Sequence, residues 1–131
     1  MLVVDATVVL SASVVEGGFD ELALQQPLVA PALMWSEARS VLHEMTWRGD
    51  IDPVDAEATR ARLESGPVRR RHHPRLGTEA WRVADMLGWA KTYDAEYVAL
   101  ARLLRCRVVT LDARLHRGAA RLGCVVAPSE L

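Results

Sequence analysis

Short apolar runs without alternation recur along this chain, and each stops at an acidic or turn-forming residue. Leu2-Val3-Val4 runs into Asp5, Leu28-Val29-Ala30 into Pro31, Arg107-Val108-Val109-Thr110-Leu111 into Asp112, and Cys124-Val125-Val126 ends just before Pro128. Runs this short, apolar at consecutive positions and rich in β-branched residues, read as strands buried on both faces. Helical periods lie between them. Thr7 is placed to cap a short helix through Val8, Val9 and Leu10, broken by Gly17-Gly18, and Phe19 to Leu24 forms a short amphipathic piece. Ala32 to Trp47 carries Leu33, Met34, Val41, Leu42 and Met45 at helical spacing. Asp52-Pro53 opens another helix, with Asp as N-cap and Pro at the first helical position, and Gly66-Pro67 closes it. Val68 to Pro74 reads as a strand or an extended loop. Thr78 is placed to cap a helix with Ala80, Trp81, Ala84 and Leu87 on one side. Lys91 to about Leu104 puts Asp94, Tyr97, Val98, Ala101 and Leu104 on one face, and Arg114 to Leu122 is a last helix. Buried strands alternating with helices predict an α/β fold: a mainly parallel sheet of about five strands with helices on both faces.

The length of 131 residues, half of them hydrophobic, suits a single domain over 1–131 with a substantial core. A net charge of -1 gives no global bias towards or against a polyanionic partner. No apolar run approaches the ~18 residues of a membrane span. Asp5 interrupts the one N-terminal apolar stretch, so no signal peptide is expected. Cys106 and Cys124 form no CxxC pair and read as core thiols of a cytoplasmic protein.

Four carboxylates stand out by position. Asp5 and Asp112 end apolar strands, and Glu37 and Asp94 fall on the apolar stripes of their helices. Each has a plainer explanation: Asp5 and Asp94 as helix caps, Glu37 paired with Arg39 or another arginine, and Asp112 as the start of a turn. Ligands of open α/β sheets bind outside the carboxyl ends of the strands. Four acids gathered there would repel one another unless divalent cations neutralise them. An oxygen-only ligand set suits Mg²⁺ or Mn²⁺.

The segments Val3-Val4-Asp5-Ala6-Thr7, Pro31 followed by Glu37, Tyr93-Asp94-Ala95-Glu96-Tyr97-Val98-Ala99-Leu100-Ala101 and Val109-Thr110-Leu111-Asp112-Ala113-Arg114-Leu115 resemble, in order and spacing, the PIN-domain ribonucleases, specifically the VapC-type toxins of bacterial toxin–antitoxin pairs. Residues 50 to 78 carry no motif of that family. The resemblance implies a three-layer α/β/α fold. It also implies one or two Mg²⁺ or Mn²⁺ ions held by Asp5, Glu37, Asp94 and Asp112, with Thr7 in a supporting hydroxyl position next to a metal-bound water. The implied activity is endonucleolytic hydrolysis of RNA by metal-activated water, leaving a 5′-phosphate and a 3′-hydroxyl. The implied partners are a VapB-type antitoxin, an RNA substrate (tRNA, rRNA or mRNA) and a second copy in a homodimer, all in the bacterial cytoplasm. Glu96, two residues from Asp94, is expected to point away from the site.

Arg69-Arg70-Arg71, with Arg75, is the one dense basic run. It reads equally as an RNA phosphate-binding surface and as a solvated face. Trp35 and Trp81, within amphipathic helices, are expected in core or dimer packing, and an antitoxin is expected to cover apolar surface near Trp35, Val41 and Leu42. Two other readings compete: a PIN-fold module that binds RNA or antitoxin without cleaving, and a phosphatase-like α/β domain. The second would need an acid where Thr7 stands.

Overall fold

A computed structural model describes residues 1–131. Five parallel strands form one sheet: β1 (Leu2–Val4), β2 (Leu28–Ala30), β3 (Arg69–Arg70), β4 (Arg107–Val109) and β5 (Val125–Val126), in the order β3-β2-β1-β4-β5. β1, β2 and β4 are the β-branched runs, and all their apolar side chains are buried. Seven α-helices accompany the sheet: α1 (Ala6–Ser13), α2 (Asp20–Gln25), α3 (Leu33–Trp47), α4 (Pro53–Ser65), α5 (Leu76–Leu87), α6 (Tyr93–Leu103) and α7 (Ala113–Gly118). Helices layered against a central parallel sheet give the three-layer α/β/α arrangement. From β1 the chain moves outward to β2 and β3, then returns to place β4 on the other side of β1. The reversal opens a crevice between the carboxyl ends of β1 and β4. No helix is long and apolar enough to cross a membrane.

Local chemistry fixes most helix ends, though not always at the expected residue. Asp5, with extended backbone, caps α1 by accepting from the Val8 amide at 3.1 Å, and Thr7 lies inside the first turn. The strand's last acid is already at the N-cap position, so the hydroxyl two residues on is released for other bonds. Asp52 caps α4 through the Val54 amide, with Pro53 at the first position. α5 starts at Leu76, ahead of Thr78. There the His73 ring accepts from the Arg75 amide and the His73 carbonyl from the Leu76 amide, so the chain turns into the helix early. α5 ends at Gly88, at φ +70, where the Trp89 amide reaches back to Ala84 O and the Gly88 amide to Asp85 O. The last predicted helix is split: α7 stops at Gly118 and a 3₁₀ turn follows over Ala120–Leu122.

Three predicted faces are corrected. α5 buries Glu79, Ala80, Val83 and Ala84, which leaves Trp81 67 % exposed. Its inward stripe packs chiefly on α6; Glu79 ties the pair together through Arg102 of α6 at 3.1 Å and pairs within its own helix with Arg82 at 3.0 Å. α6 has no single buried stripe. Ala95 and Tyr97 to Ala101 are all buried, because α6 is held between α5 and strands β1 and β4. On α3, Trp35 and Leu42 are buried and Val41 is exposed. Of the three residues expected to offer apolar surface to a partner, only Val41 does so.

Candidate active site

β1 and β4 run side by side with Val4 opposite Val109. The next residues, Asp5 and Thr110, are therefore neighbours where the strands end, and their bonds form a closed clasp. The Thr110 hydroxyl donates to Asp5 Oδ2 at 2.5 Å and accepts from the Asp112 amide at 2.9 Å. The Thr7 hydroxyl donates to Asp5 Oδ1 at 2.6 Å and accepts from the Leu111 amide at 3.0 Å. Asp5-Ala6-Thr7 on one strand thus meets Thr110-Leu111-Asp112 on the other, the same pair of residue types in opposite order. Burial raises the Asp5 pKa, and its hydrogen bonds to Thr110, Thr7 and Val8 oppose that rise. Asp112 caps α7 through the Arg114 amide at 2.8 Å. For both acids the capping role and a place at the crevice hold together.

Thr110 is a member of this constellation that the sequence reading left without a role. A threonine inside a β-branched run looks like an ordinary strand former. The signal that could have found it is its spacing of two from Asp112, which repeats the spacing of Asp5 and Thr7.

The other two acids arrive on helices. α3 leaves the carboxyl end of β2 through Pro31 and brings Glu37 to the crevice. α6 starts at the same sheet edge with Asp94 in its first turn. Burial, then the charge of Asp94, pushes Glu37 up to about 7, with Asp5 and Glu96 adding to the rise. The Tyr97 hydroxyl donates to Glu37 Oε1 at 3.4 Å, a long bond that opposes it only in part. Burial and then the charge of Asp112 raise Asp94, against the nearby Arg114. Arg39, the arginine proposed for Glu37, is engaged by Glu64 at 2.8 Å instead.

The four acids therefore lie close enough to feel one another's charge, with Arg114 Nε 3.7 Å from Asp112 as the nearest cation. Asp94 is an exposed residue at the rim rather than a core-facing one. Glu96, half-buried, contributes to the field at Glu37 although the helix geometry had set it aside. No three acidic, histidine or cysteine side chains stand in a closed cage of metal ligands. A hard cation such as Mg²⁺ needs no such cage, since it keeps several waters and takes one or two carboxylates directly. An all-oxygen, net-negative donor set fits such an ion by its chemistry.

Glu37, Asp94 and Asp112 share a cleft of about 570 Å³ with Trp89, Lys91, Tyr93 and Arg114. The basic run lies at the far side of the same edge. Arg69 and Arg70 form β3, Arg71 donates its amide to Ala30 O, and Arg75 precedes α5. The Arg70 guanidinium sits 5.2 Å above the Trp35 ring. In the sheet β3 is separated from β1 by β2, so the two strands lie on the order of 10 Å apart. Cys106 and Cys124 are free thiols, half-buried, with pKa values raised by burial.

Comparison with known proteins agrees with this architecture. Residues 2–121 match the family described as PIN domain. The chain is 33 % identical over 129 residues to Ribonuclease VapC9 of Mycobacterium tuberculosis and, equally, to VapC ribonuclease Mb0985 of Mycobacterium bovis, covering 98 % of this chain and 99 % of each relative. A crystal structure of PAE2754 from Pyrobaculum aerophilum shares the fold, with a TM-score of 0.78 at 22 % identity over 98 % of this chain and 90 % of that one.

Proposed function

This chain belongs to the PIN-domain family and to its VapC-type members, and we propose that it is a divalent-metal-dependent endoribonuclease, the toxin of a toxin–antitoxin pair. The whole chain, residues 1–131, works as one domain. In this reading Asp5, Glu37, Asp94 and Asp112 hold Mg²⁺ or Mn²⁺ and carry the catalysis, and Thr7 fixes Asp5. The observation that supports it most is the set of acids facing one another at the sheet's switch point without a matching set of cations; burial first, and then the charges of Asp94, Asp5 and Glu96, push Glu37 up to about 7. When bound, the ion supplies positive charge against the carboxylates and the phosphate, and Lewis acidity towards water and the leaving oxygen.

The protein's own groups do the rest. Asp5, held at three points, keeps a fixed orientation. Glu37, raised by burial and by the charge of Asp94 in the metal-free protein, is the acid whose ionisation gains most from a cation placed beside it. Arg69, Arg70, Arg71 and Arg75 bind the RNA backbone as a sequence-independent term. A VapB-type antitoxin, encoded nearby, blocks the acids with an Arg or Lys, for which charge-assisted bonds to carboxylate are strong. The protein acts as a homodimer in the bacterial cytoplasm.

Incubating total RNA with the purified chain and Mg²⁺ or Mn²⁺, with and without EDTA, and mapping the ends tests the reading. Cleavage abolished by EDTA, with 5′-phosphate ends, is expected. Intact RNA under every metal condition, with binding retained, would instead favour a module that binds without cutting. Replacing Arg69, Arg70 and Arg71 by Ala is expected to weaken RNA binding and to flatten its salt dependence.

A further inference from the structure

The α5–α6 turn adds no acid to the constellation, yet Gly88 to Lys91 form one wall of the cleft that Glu37, Asp94 and Asp112 line. Three features of that wall differ from an ordinary solvated surface. First, Trp89 is held rigidly. The left-handed Gly88 and the bond from the Trp89 amide to Ala84 O fix its backbone, and its indole lies against Gly118 of α7. A Cβ on Gly118 would meet Trp89 Cζ2 at 3.2 Å, so the glycine is what lets the ring lie flat there. Second, Tyr93 stands 62 % exposed at the first position of α6, its ring unused by the core. Third, Lys91, the only lysine in the chain, and Arg114 face the same space from the two sides.

We propose that this cleft is a nucleotide subsite, in which one base of the RNA, out of its stack, lies on the Tyr93 ring against the Trp89 wall while Lys91 and Arg114 hold the phosphate beside it. The proposal rests on the ribonuclease reading above and adds to it the part of the substrate that this wall recognises. A nucleotide joins a flat apolar face to a compact anion, and aromatic rings interleaved with cations match both parts. The space of about 570 Å³ lies in the range of ordinary small-ligand pockets. Its concave form admits a single splayed base rather than a paired helix, as sequence-selective RNA recognition commonly requires. An acidic peptide fits worse, because Glu37, Asp94 and Asp112 line the same cleft and would repel its carboxylates at every position. A nucleotide presents only one anionic group, which can sit on the cationic side.

The test uses the full chain and ligands that it has no bond to cut. The four nucleoside 5′-monophosphates and ribose 5-phosphate are titrated against the native protein, Tyr93→Ala and Tyr93→Phe, by calorimetry and intrinsic fluorescence. At least one nucleotide is expected to bind about tenfold more tightly than ribose 5-phosphate, the size of one base–aromatic stack. Tyr93→Ala should remove that advantage, and Tyr93→Phe should keep it within about twofold, since stacking needs the ring and not the hydroxyl. Because Tyr93 is exposed, unchanged thermal unfolding will show that both variants fold. Equal binding of nucleotides and ribose 5-phosphate, or an advantage that survives Tyr93→Ala or is lost in Tyr93→Phe, overturns the subsite. RNA cleavage assayed in parallel separates the two readings. Tyr93-dependent nucleotide binding without cleavage would remove the ribonuclease and leave the subsite, whereas cleavage with Tyr93-independent binding would do the reverse.

Discussion

The two halves of the acid constellation are built on opposite principles. Around Asp5 every bond is made: two hydroxyls and an amide converge on one buried carboxylate, and the same hydroxyls accept amides from the neighbouring strand end. Around Glu37 and Asp94 little is made. Glu37 has one long bond from Tyr97, and Asp94 faces other acids across an open cleft. The first half is an anchor that contributes to the stability of the fold. The second stores repulsion that an added cation can relieve. A site divided this way has one carboxylate fixed in place and the others left under mutual repulsion.

Removing one charge from each half separates the two. Asp5→Asn should lower RNA cleavage by at least about a hundredfold, and it should also destabilise the chain by roughly 1–2 kcal/mol. The reason is that an amide cannot accept from Thr110, Thr7 and Val8 at once, so a buried donor is left short. Glu37→Gln should lower cleavage as strongly and yet stabilise the metal-free protein above pH 7. Thermal unfolding of the two variants without metal, beside a cleavage assay, measures both effects, and shifts of the same sign would erase the distinction.

The pH dependence of the native chain follows from the same contrast. The folded Glu37 holds its proton up to about 7, whereas an ordinary glutamate loses it near 4.5. Between those values the folded state binds more protons than the unfolded one, so stability falls as pH rises. This contribution is fully present below pH 4.5 and is lost as pH passes through 7, and the raised Asp5 and Asp94 act in the same direction. The metal-free protein should therefore unfold at a lower temperature at pH 8 than at pH 5.5. Mg²⁺ should restore much of the difference at pH 8, since an ion bound to the native state stabilises it by mass action. A melting temperature that rises with pH in EDTA would contradict the assignment.

Smaller changes probe the anchor and the cleft. Thr110→Val keeps the strand former and deletes the bridge between Asp5 and Asp112. It should cost about 1–2 kcal/mol and reduce cleavage about tenfold, with Thr110→Ser recovering most of both. Full activity in the valine variant would mean that Thr7 alone orients Asp5. The smallest effect is expected from Gly118→Ala, which presses a methyl group on the Trp89 indole. It should change the unfolding temperature by only a degree or two while weakening nucleotide binding about two- to threefold, as a ring displaced by a few tenths of an ångström narrows the cleft. Calorimetric titration is sensitive enough to see that change.

Much of this was legible in the residues. The runs ending in Asp5 and Asp112 gave the strands, their parallel pairing and the acidic edge, because a β-branched run with no alternation has few other solutions. Asp52-Pro53 marked a helix start at the residue where it occurs. The phase of a helix face was harder. Ala80, Trp81 and Ala84 suggested an inward tryptophan, but small residues let α5 lie close to α6, and the bulky Trp81 turned outward. The roles of Thr7 and Thr110 depend on which strands become neighbours, a fact of topology that no local spacing contains. Asp94 looked core-facing by period alone, and only its place in the first turn, ahead of the buried stretch, puts it at the rim.

Strand β3 has a consequence for the behaviour of the protein in concentrated solution. It is two residues long, both arginines, and both exposed at the sheet's outer edge. An open edge is a template on which another molecule's strand can pair, and short, cationic edges discourage that pairing. The guanidinium groups of two such edges repel, so molecules meeting there separate instead of extending one sheet into the next. Replacing Arg69 and Arg70 by threonine or valine would remove this guard while improving the strand's intrinsic preference, and the resulting protein should form turbid, β-rich assemblies on standing where the native chain stays clear.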